Sequence, residues 1–142
     1  MFLSTLALCL GLIFLSITHP LRAQELGDLD SVTPLELAQE APLTEADIDL
    51  YLKYFRESII HMREPTVDMA QFNLRFLKDN NLTLARLRYL LEKIPPLMVA
   101  AFSDQDSFGP EDPPYLKFSA SEKKLIKANM NKITLTYATI HK

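Results

Sequence analysis

The residue best suited to acid–base or metal chemistry in this chain is His61, because a glutamate lies on each side of it in the sequence. Glu57 lies four residues before it and Glu64 three residues after it, so a helix would place all three on one face. Such a group can transfer protons or contribute to a metal site. A metal site needs further ligands, however, and His141 lies near the far end of the chain. We therefore interpret His61 as a surface histidine near a helix C-terminus.

Acidic residues recur in two loops without the spacing of a calcium site. Asp28 and Asp30 form one group, and the other consists of Asp104, Asp106, Glu111 and Asp112. Neither group has the glycine and the regularly spaced oxygens of an EF-hand loop. The motifs of serine hydrolases, zinc peptidases and nucleotide-binding loops are also missing from the sequence. These patterns predict a non-enzymatic protein with no catalytic, cofactor-binding or metal-binding residue.

The chain begins with an uncharged apolar run. Residues 2–17 carry no charged side chain, Pro20 follows the run, and Ala23 offers a small residue for cleavage. This pattern predicts a signal peptide over residues 1–23 and a periplasmic or secreted protein. The alternative is a membrane anchor formed by residues 2–17. Cleavage is favoured because the run is shorter than a membrane-spanning helix, which needs about 20 residues.

The composition of residues 24–142 fits one small domain that is stabilised by packing. The only cysteine, Cys9, is lost with the signal peptide, so no disulfide can form. Losing Arg22 as well lowers the formal net charge from −3 to −4, which disfavours binding to nucleic acid. The whole chain contains only three glycines, one of them in the predicted signal peptide, which argues against an all-β fold with many tight turns.

Apolar residues at three- and four-residue steps predict an all-α fold, a small bundle of four to five helices. The first helix begins at a capping box on Thr44 and ends before Pro65. The second starts at Thr66 or Val67 and ends at Lys78. Short links between these helices favour packing between neighbours.

Proline and capping signals divide the second half of the chain. Thr83 caps the third helix, which Pro95 and Pro96 are predicted to end. Residues 97–102 are apolar all round and predict a short buried helix. The last helix follows a capping box at residues 119–122. Its tail also alternates like a strand, but a lone strand would lack a partner, so helix is favoured.

Two segments lack a clear period. Residues 24–43 predict a partly ordered N-terminal tether, with a short docked helix as the alternative. Residues 44–142 form the helical domain, which contains a long loop over residues 103–118. The aromatic residues of this loop are expected to hold it against the body: Phe108, Tyr115 and Phe118.

The sequence predicts a protein-interaction or adaptor module that contacts another envelope or secreted protein. We expect a groove beside the second and third helices, roofed by the loop. The candidate interaction residues combine basic charge on the third helix with the loop aromatics: Arg86, Arg88, Phe108, Tyr115 and Phe118. A competing interpretation of the basic residues is a solvated helix face. The alternative function is a carrier that holds a lipid or another apolar ligand in an interior lined by Met and Phe side chains, including Met62, Met98 and Met130. A membrane would be contacted only through an uncleaved signal segment.

Overall fold

The computed structural model describes residues 27–107 and 109–140. The predicted signal peptide, Phe108 and His141 lie outside the described residues. Within them the chain is helical and has no strand, which confirms the all-α prediction. The five helices are α1 (Pro34–Ala38), α2 (Glu45–Met62), α3 (Met69–Asp79), α4 (Leu84–Ala100) and α5 (Ala120–Ile140). Short 3-10 turns lie at Leu29–Ser31 and Pro114–Leu116. Not one of these helices has the length and apolarity needed to cross a membrane.

The core forms where α2, α4 and α5 pack against one another, with α1 docked on α4 and α3 docked on α2. The apolar stripes predicted from the sequence supply this core, because each helix turns one stripe toward its neighbours. The largest fully buried side chains are aliphatic: Leu37, Ile48, Leu87, Leu90, Ile94, Leu97 and Ile126.

Two predicted helix boundaries are wrong. α3 begins at Met69 because Asp68 is its N-cap, whose Oδ1 accepts the N–H of Gln71 at 3.0 Å. α4 continues through Pro95 and Pro96 to Ala100, although a proline inside a helix removes a hydrogen bond. The side chains on either side of the two prolines are fully buried, and this packing holds the helix together.

The segment after the predicted signal peptide packs on the body from Gly27 onward. Gly27 has a φ of 63°, and a Cβ there would collide with the carbonyl oxygen of Ala70 in α3. The side-chain amide of Asn73 donates to the carbonyl of Gly27 at 3.0 Å. Glycine is therefore required here both by its positive φ and by the close approach of α3.

Leu37→Ala tests how firmly this segment is docked. Leu37 is 1% exposed in α1, so its truncation is expected to lower the free energy of unfolding by about 2–5 kcal/mol. Leu35 of the same helix is 69% exposed, and Leu35→Ala is expected to change the free energy of unfolding by no more than about 0.5 kcal/mol. Urea denaturation followed by circular dichroism measures both values. Equal effects of the two substitutions would show that α1 behaves as a tether.

Candidate functional site

Arg86, one of the predicted interaction residues, is fastened within the chain. Its side chain is 13% exposed, and it donates to both carboxylate oxygens of Asp47 in α2, from Nε at 3.1 Å and from Nη2 at 2.6 Å. Its Nη1 lies 3.3 Å from Glu40. The same guanidinium donates to the carbonyls of Ala41 and Pro42. Arg86 therefore joins the connection between α1 and α2 to α4.

Asp47 is held in its charged form by this arrangement. Burial alone would raise the pKa of the Asp47 carboxyl, but hydrogen bonds from Arg86 and Thr44 outweigh burial and lower the pKa below its ordinary value of 3.8. The N–H and O–H of Thr44 both donate to Oδ2 at 2.7 Å. Asp47 thus belongs both to the capping box predicted at Thr44 and to an ion pair between helices.

The lowered pKa of Asp47 predicts a loss of stability in acid. A carboxyl with a depressed folded-state pKa stabilises the fold above its unfolded pKa, and this contribution disappears as pH falls through the folded value. The difference in unfolding free energy between the wild type and Asp47→Asn should therefore be constant at higher pH and shrink below about pH 3.8. Urea titrations from pH 6 downward, at roughly half-unit steps, measure it. A difference that stays constant through the acid range would contradict this assignment.

Arg88 and Tyr115, two further predicted residues, meet at Glu92. Arg88 Nε donates to Oε1 of Glu92 at 2.7 Å, and the Tyr115 hydroxyl donates to Oε2 at 3.2 Å. Arg88 Nη1 also donates to the carbonyls of Leu29 and Val32, at 2.7 and 2.9 Å. Arg88 thereby ties the first 3-10 turn to α4, and Tyr115 ties the loop to the same point.

Lys93 of α4 is buried and binds the loop over residues 103–118. Its side chain is 4% exposed, and Nζ lies 3.4 Å from Oε2 of Glu122, which is 6% exposed. Nζ also donates to the carbonyls of Tyr115 and Lys117, so each ammonium proton has an acceptor. Burial lowers the pKa of Lys93, and Glu122 opposes this only in part. This bonding is that of a structural ammonium rather than of a nucleophilic amine.

Aromatic rings complete this charged region. The Tyr89 ring lies 5.0 Å from the guanidinium of Arg86 and 5.9 Å from Nζ of Lys93. Burial, assisted by Glu122, raises the pKa of Tyr89 to about 12. Phe118 is 4% exposed, and its ring lies 5.6 Å from Nζ of Lys93. We call this region the charged seam, and it comprises Arg86, Arg88, Tyr89, Glu92 and Lys93 of α4 with Asp47 and Glu122.

The structure brings four of the five predicted interaction residues together at the charged seam. Arg86, Arg88 and Tyr115 bind other groups of the chain there, and Phe118 is buried beside Lys93. The sequence did not predict this meeting, because the partners come from separate parts of the chain: α2, α4, the first 3-10 turn and the connection between α1 and α2. The loop predicted to roof a groove packs instead on the seam.

His61 is buried, so the prediction of a surface histidine is wrong. It is 8% exposed, and its ring stacks on that of Phe72 from α3 at 5.2 Å. Nδ1 lies 3.1 Å from Glu64, and Nε2 lies 3.3 Å from the carbonyl oxygen of Asp68. The covering ring belongs to another helix, which is why the pattern within α2 did not reveal the burial.

A small cleft of about 270 Å³ lies beside His61, between α2 and α3. Phe72 and Phe76 form part of its wall, and Glu57, Arg75 and Asp79 line it as well. No group of three or more His, Cys, Asp or Glu residues within the described part of the chain can hold a metal ion. The predicted acidic groups have local roles, since Asp28 caps the first 3-10 turn and Asp106 pairs with Lys123 at 3.0 Å.

An apolar groove of about 540 Å³ lies between the end of α4 and the second half of α5. Its lining residues on α5 recur at helical steps, which places them on one face. The groove is lined by Met98 and Val99 of α4 and by Met130, Ile133, Thr134, Tyr137 and Ala138 of α5. Tyr137 is fixed from behind, because its ring stacks on Phe55 at 4.4 Å and its hydroxyl lies 2.9 Å from that of Tyr51.

Large apolar side chains in and near the helical segments that line this groove are exposed to solvent. Val99 is 66% exposed and Phe102 is 64% exposed, so the prediction of a short buried helix over residues 97–102 is wrong for this side of the segment, although Leu97 is buried. Leu135 is 66% exposed next to Thr134 on α5. Met98 and Met130, predicted to line an interior, lie at this half-open surface, and Met62, predicted to be internal, is 52% exposed. The sequence did not predict this groove, because the groove depends on how α4 and α5 pack against each other.

The comparisons with known proteins yield no relative of this chain. No protein-family model, curated protein or solved structure matches it.

Proposed function

We propose that this chain is an exported, non-enzymatic protein that binds another protein through the groove between α4 and α5. The observation that carries the proposal is the exposure of Val99 in the groove and of two apolar residues close in sequence to its lining residues, Phe102 and Leu135. Exposed apolar surface at a groove marks a site of interaction in a small protein. Flexible Met98 and Met130 suit the groove to a partner's side chains.

The polar groups with the strongest catalytic potential have structural roles, which favours binding over catalysis. Lys93 has three acceptors for its three ammonium protons. Both ring nitrogens of His61 face oxygens of the chain. A general base or nucleophile must instead present its reactive atom to a substrate.

The second candidate function is transport of a lipid or another apolar ligand in the same groove. The volume falls within the range of small-molecule sites, which is about 300–1,000 Å³. Such sites enclose most of the ligand, however, whereas Val99, Thr134 and Ala138 of this groove are exposed. The geometry therefore favours a protein partner. Native mass spectrometry of protein from its own host separates the two functions, because a co-purifying ligand would favour the carrier.

Export is supported by residues 2–17, which lack charge, and by the small residue Ala23. We propose cleavage after Ala23 and a periplasmic or secreted location. N-terminal sequencing of the native protein is expected to begin at Gln24. A native protein that retains residues 1–23 would instead support an anchor formed by residues 2–17.

Photo-crosslinking in the native host tests the proposed groove. A benzoylphenylalanine replaces Val99 or Thr134 in the groove, or Arg56 on the exposed surface of α2 as the control. We expect both groove positions to crosslink to one segment of one protein, and the control position to give no such product. A peptide of that segment should bind the wild type and lose affinity for Ala138→Arg, which fills the groove. Equal crosslinking from all three positions, or a peptide indifferent to Ala138→Arg, would contradict the proposal.

A further inference from the structure

The helix that forms one wall of the groove has an uneven distribution of charge. α5 contains four lysines and a single carboxylate, Glu122, which is buried and bound to Lys93. Two of the lysines are paired, Lys123 with Asp106 at 3.0 Å and Lys132 with Asp49 at 2.7 Å. The charge that remains unpaired on the exposed surface of α5 is therefore positive, although the chain as a whole has a net charge of −3.

The other two lysines, Lys124 and Lys127, are exposed, and Lys127 lies near Phe102, which follows the end of α4. Nζ of Lys127 lies 5.9 Å from the centre of the Phe102 ring. Among the described residues, no carboxylate lies within 4.0 Å of either lysine. Lys127 precedes Thr134 by two helical turns, so it continues the groove-lining face of α5, and Lys124 lies about one turn before Lys127.

The geometry points to an amphipathic helix with acidic residues beside its apolar stripe as the occupant of the groove, an inference that rests on the proposed function. Two adjacent helices form a concave surface, and a partner helix fills such a surface with side chains at three- and four-residue steps. The stripe from Lys127 to Ala138 is about 16 Å long, which matches about three turns of helix. Thr134 and Ala138 are small enough to let the partner's backbone approach closely.

The same features argue against two other occupants. A flat bilayer surface cannot fill a concave groove, and membrane-surface helices carry bulky apolar residues where α5 has Thr134 and Ala138. A second copy of this chain would bring Lys124 and Lys127 to a surface of α5 that lacks an exposed carboxylate. Charge complementarity therefore selects a different protein with an acidic, apolar helix.

A displayed library of helical peptides tests this inference. Each peptide has a fixed apolar stripe and random residues on both flanks, and selection uses protein purified from cells that carry the full-length gene. We expect selected peptides to be rich in Asp and Glu at the flanks. They should bind the wild type about 2- to 30-fold more tightly than Lys124→Glu/Lys127→Glu, the effect of losing two exposed ion pairs. Lys78→Glu, a single charge reversal at an exposed position of α3, should keep the acidic preference.

The outcomes separate the charge inference from the groove itself. Enriched peptides that depend on Ala138 but show no acidic bias would overturn only the charge inference. No enrichment above that obtained with Ala138→Arg would overturn the proposed function as well. Pelleting with phosphatidylglycerol vesicles that is lost in Lys124→Glu/Lys127→Glu, without peptide binding, would identify a membrane instead. A dimer in sedimentation experiments that Ala138→Arg disrupts would identify a second copy as the occupant.

Discussion

Lys93→Met is expected to lower the free energy of unfolding by about 3–5 kcal/mol, because it leaves Glu122 buried without its cation. The carbonyls of Tyr115 and Lys117 would lose their donor at the same time. Unfolding in guanidinium chloride measures the loss. Lys78→Met, on the exposed surface of α3, serves as the matched control and should change the value by no more than about 0.5 kcal/mol.

A second substitution shows whether the unpaired charge causes this loss. Lys93→Met/Glu122→Gln removes both charges, so it is expected to be more stable than Lys93→Met alone. The double-mutant cycle measures the interaction between the two side chains. If the losses of stability from Lys93→Met and Glu122→Gln add up to the loss in the double variant, the two side chains do not stabilise each other. A loss from Lys93→Met no greater than that from Lys78→Met would likewise contradict the assignment.

Arg86→Lys is expected to cost about 2–4 kcal/mol although it preserves the charge. The guanidinium binds Asp47 through two parallel hydrogen bonds and reaches Glu40 and two carbonyls besides. An ammonium has three donors that radiate from one atom, so it cannot reproduce this planar fork. Arg56→Lys, on the exposed surface of α2, should be within about 0.5 kcal/mol of the wild type. Equal effects of the two substitutions would show that charge alone suffices at position 86.

Local signals in the sequence predicted the helices well. Thr44 and Thr83 identify the starts of α2 and α4 because an N-cap acts within its own first turn. The capping box at residues 119–122 places α5 for the same reason, and Glu122 accepts the N–H of Ser119 at 3.0 Å. The tail of α5 is helical, in agreement with the prediction that a lone strand would lack a partner.

Features that depend on contacts between helices were not predictable from the sequence. Pro95 and Pro96 remain inside α4 because tertiary packing outweighs the local preference. His61 is buried by a ring from α3, and Lys93 by a carboxylate from α5. The open groove depends on how α4 and α5 pack against each other. Export remains a prediction, because residues 1–23 lie outside the described part of the chain.

Methyl NMR of the methionines tests the central claim, that the groove between α4 and α5 is the binding surface. The titrant is the peptide of the partner segment identified by crosslinking. Met98 and Met130 line the groove, whereas Met69 lies on α3, away from the groove lining. The account predicts that the methyl signals of Met98 and Met130 shift while that of Met69 stays in place. Unchanged signals from Met98 and Met130, or a shift confined to Met69, would contradict it.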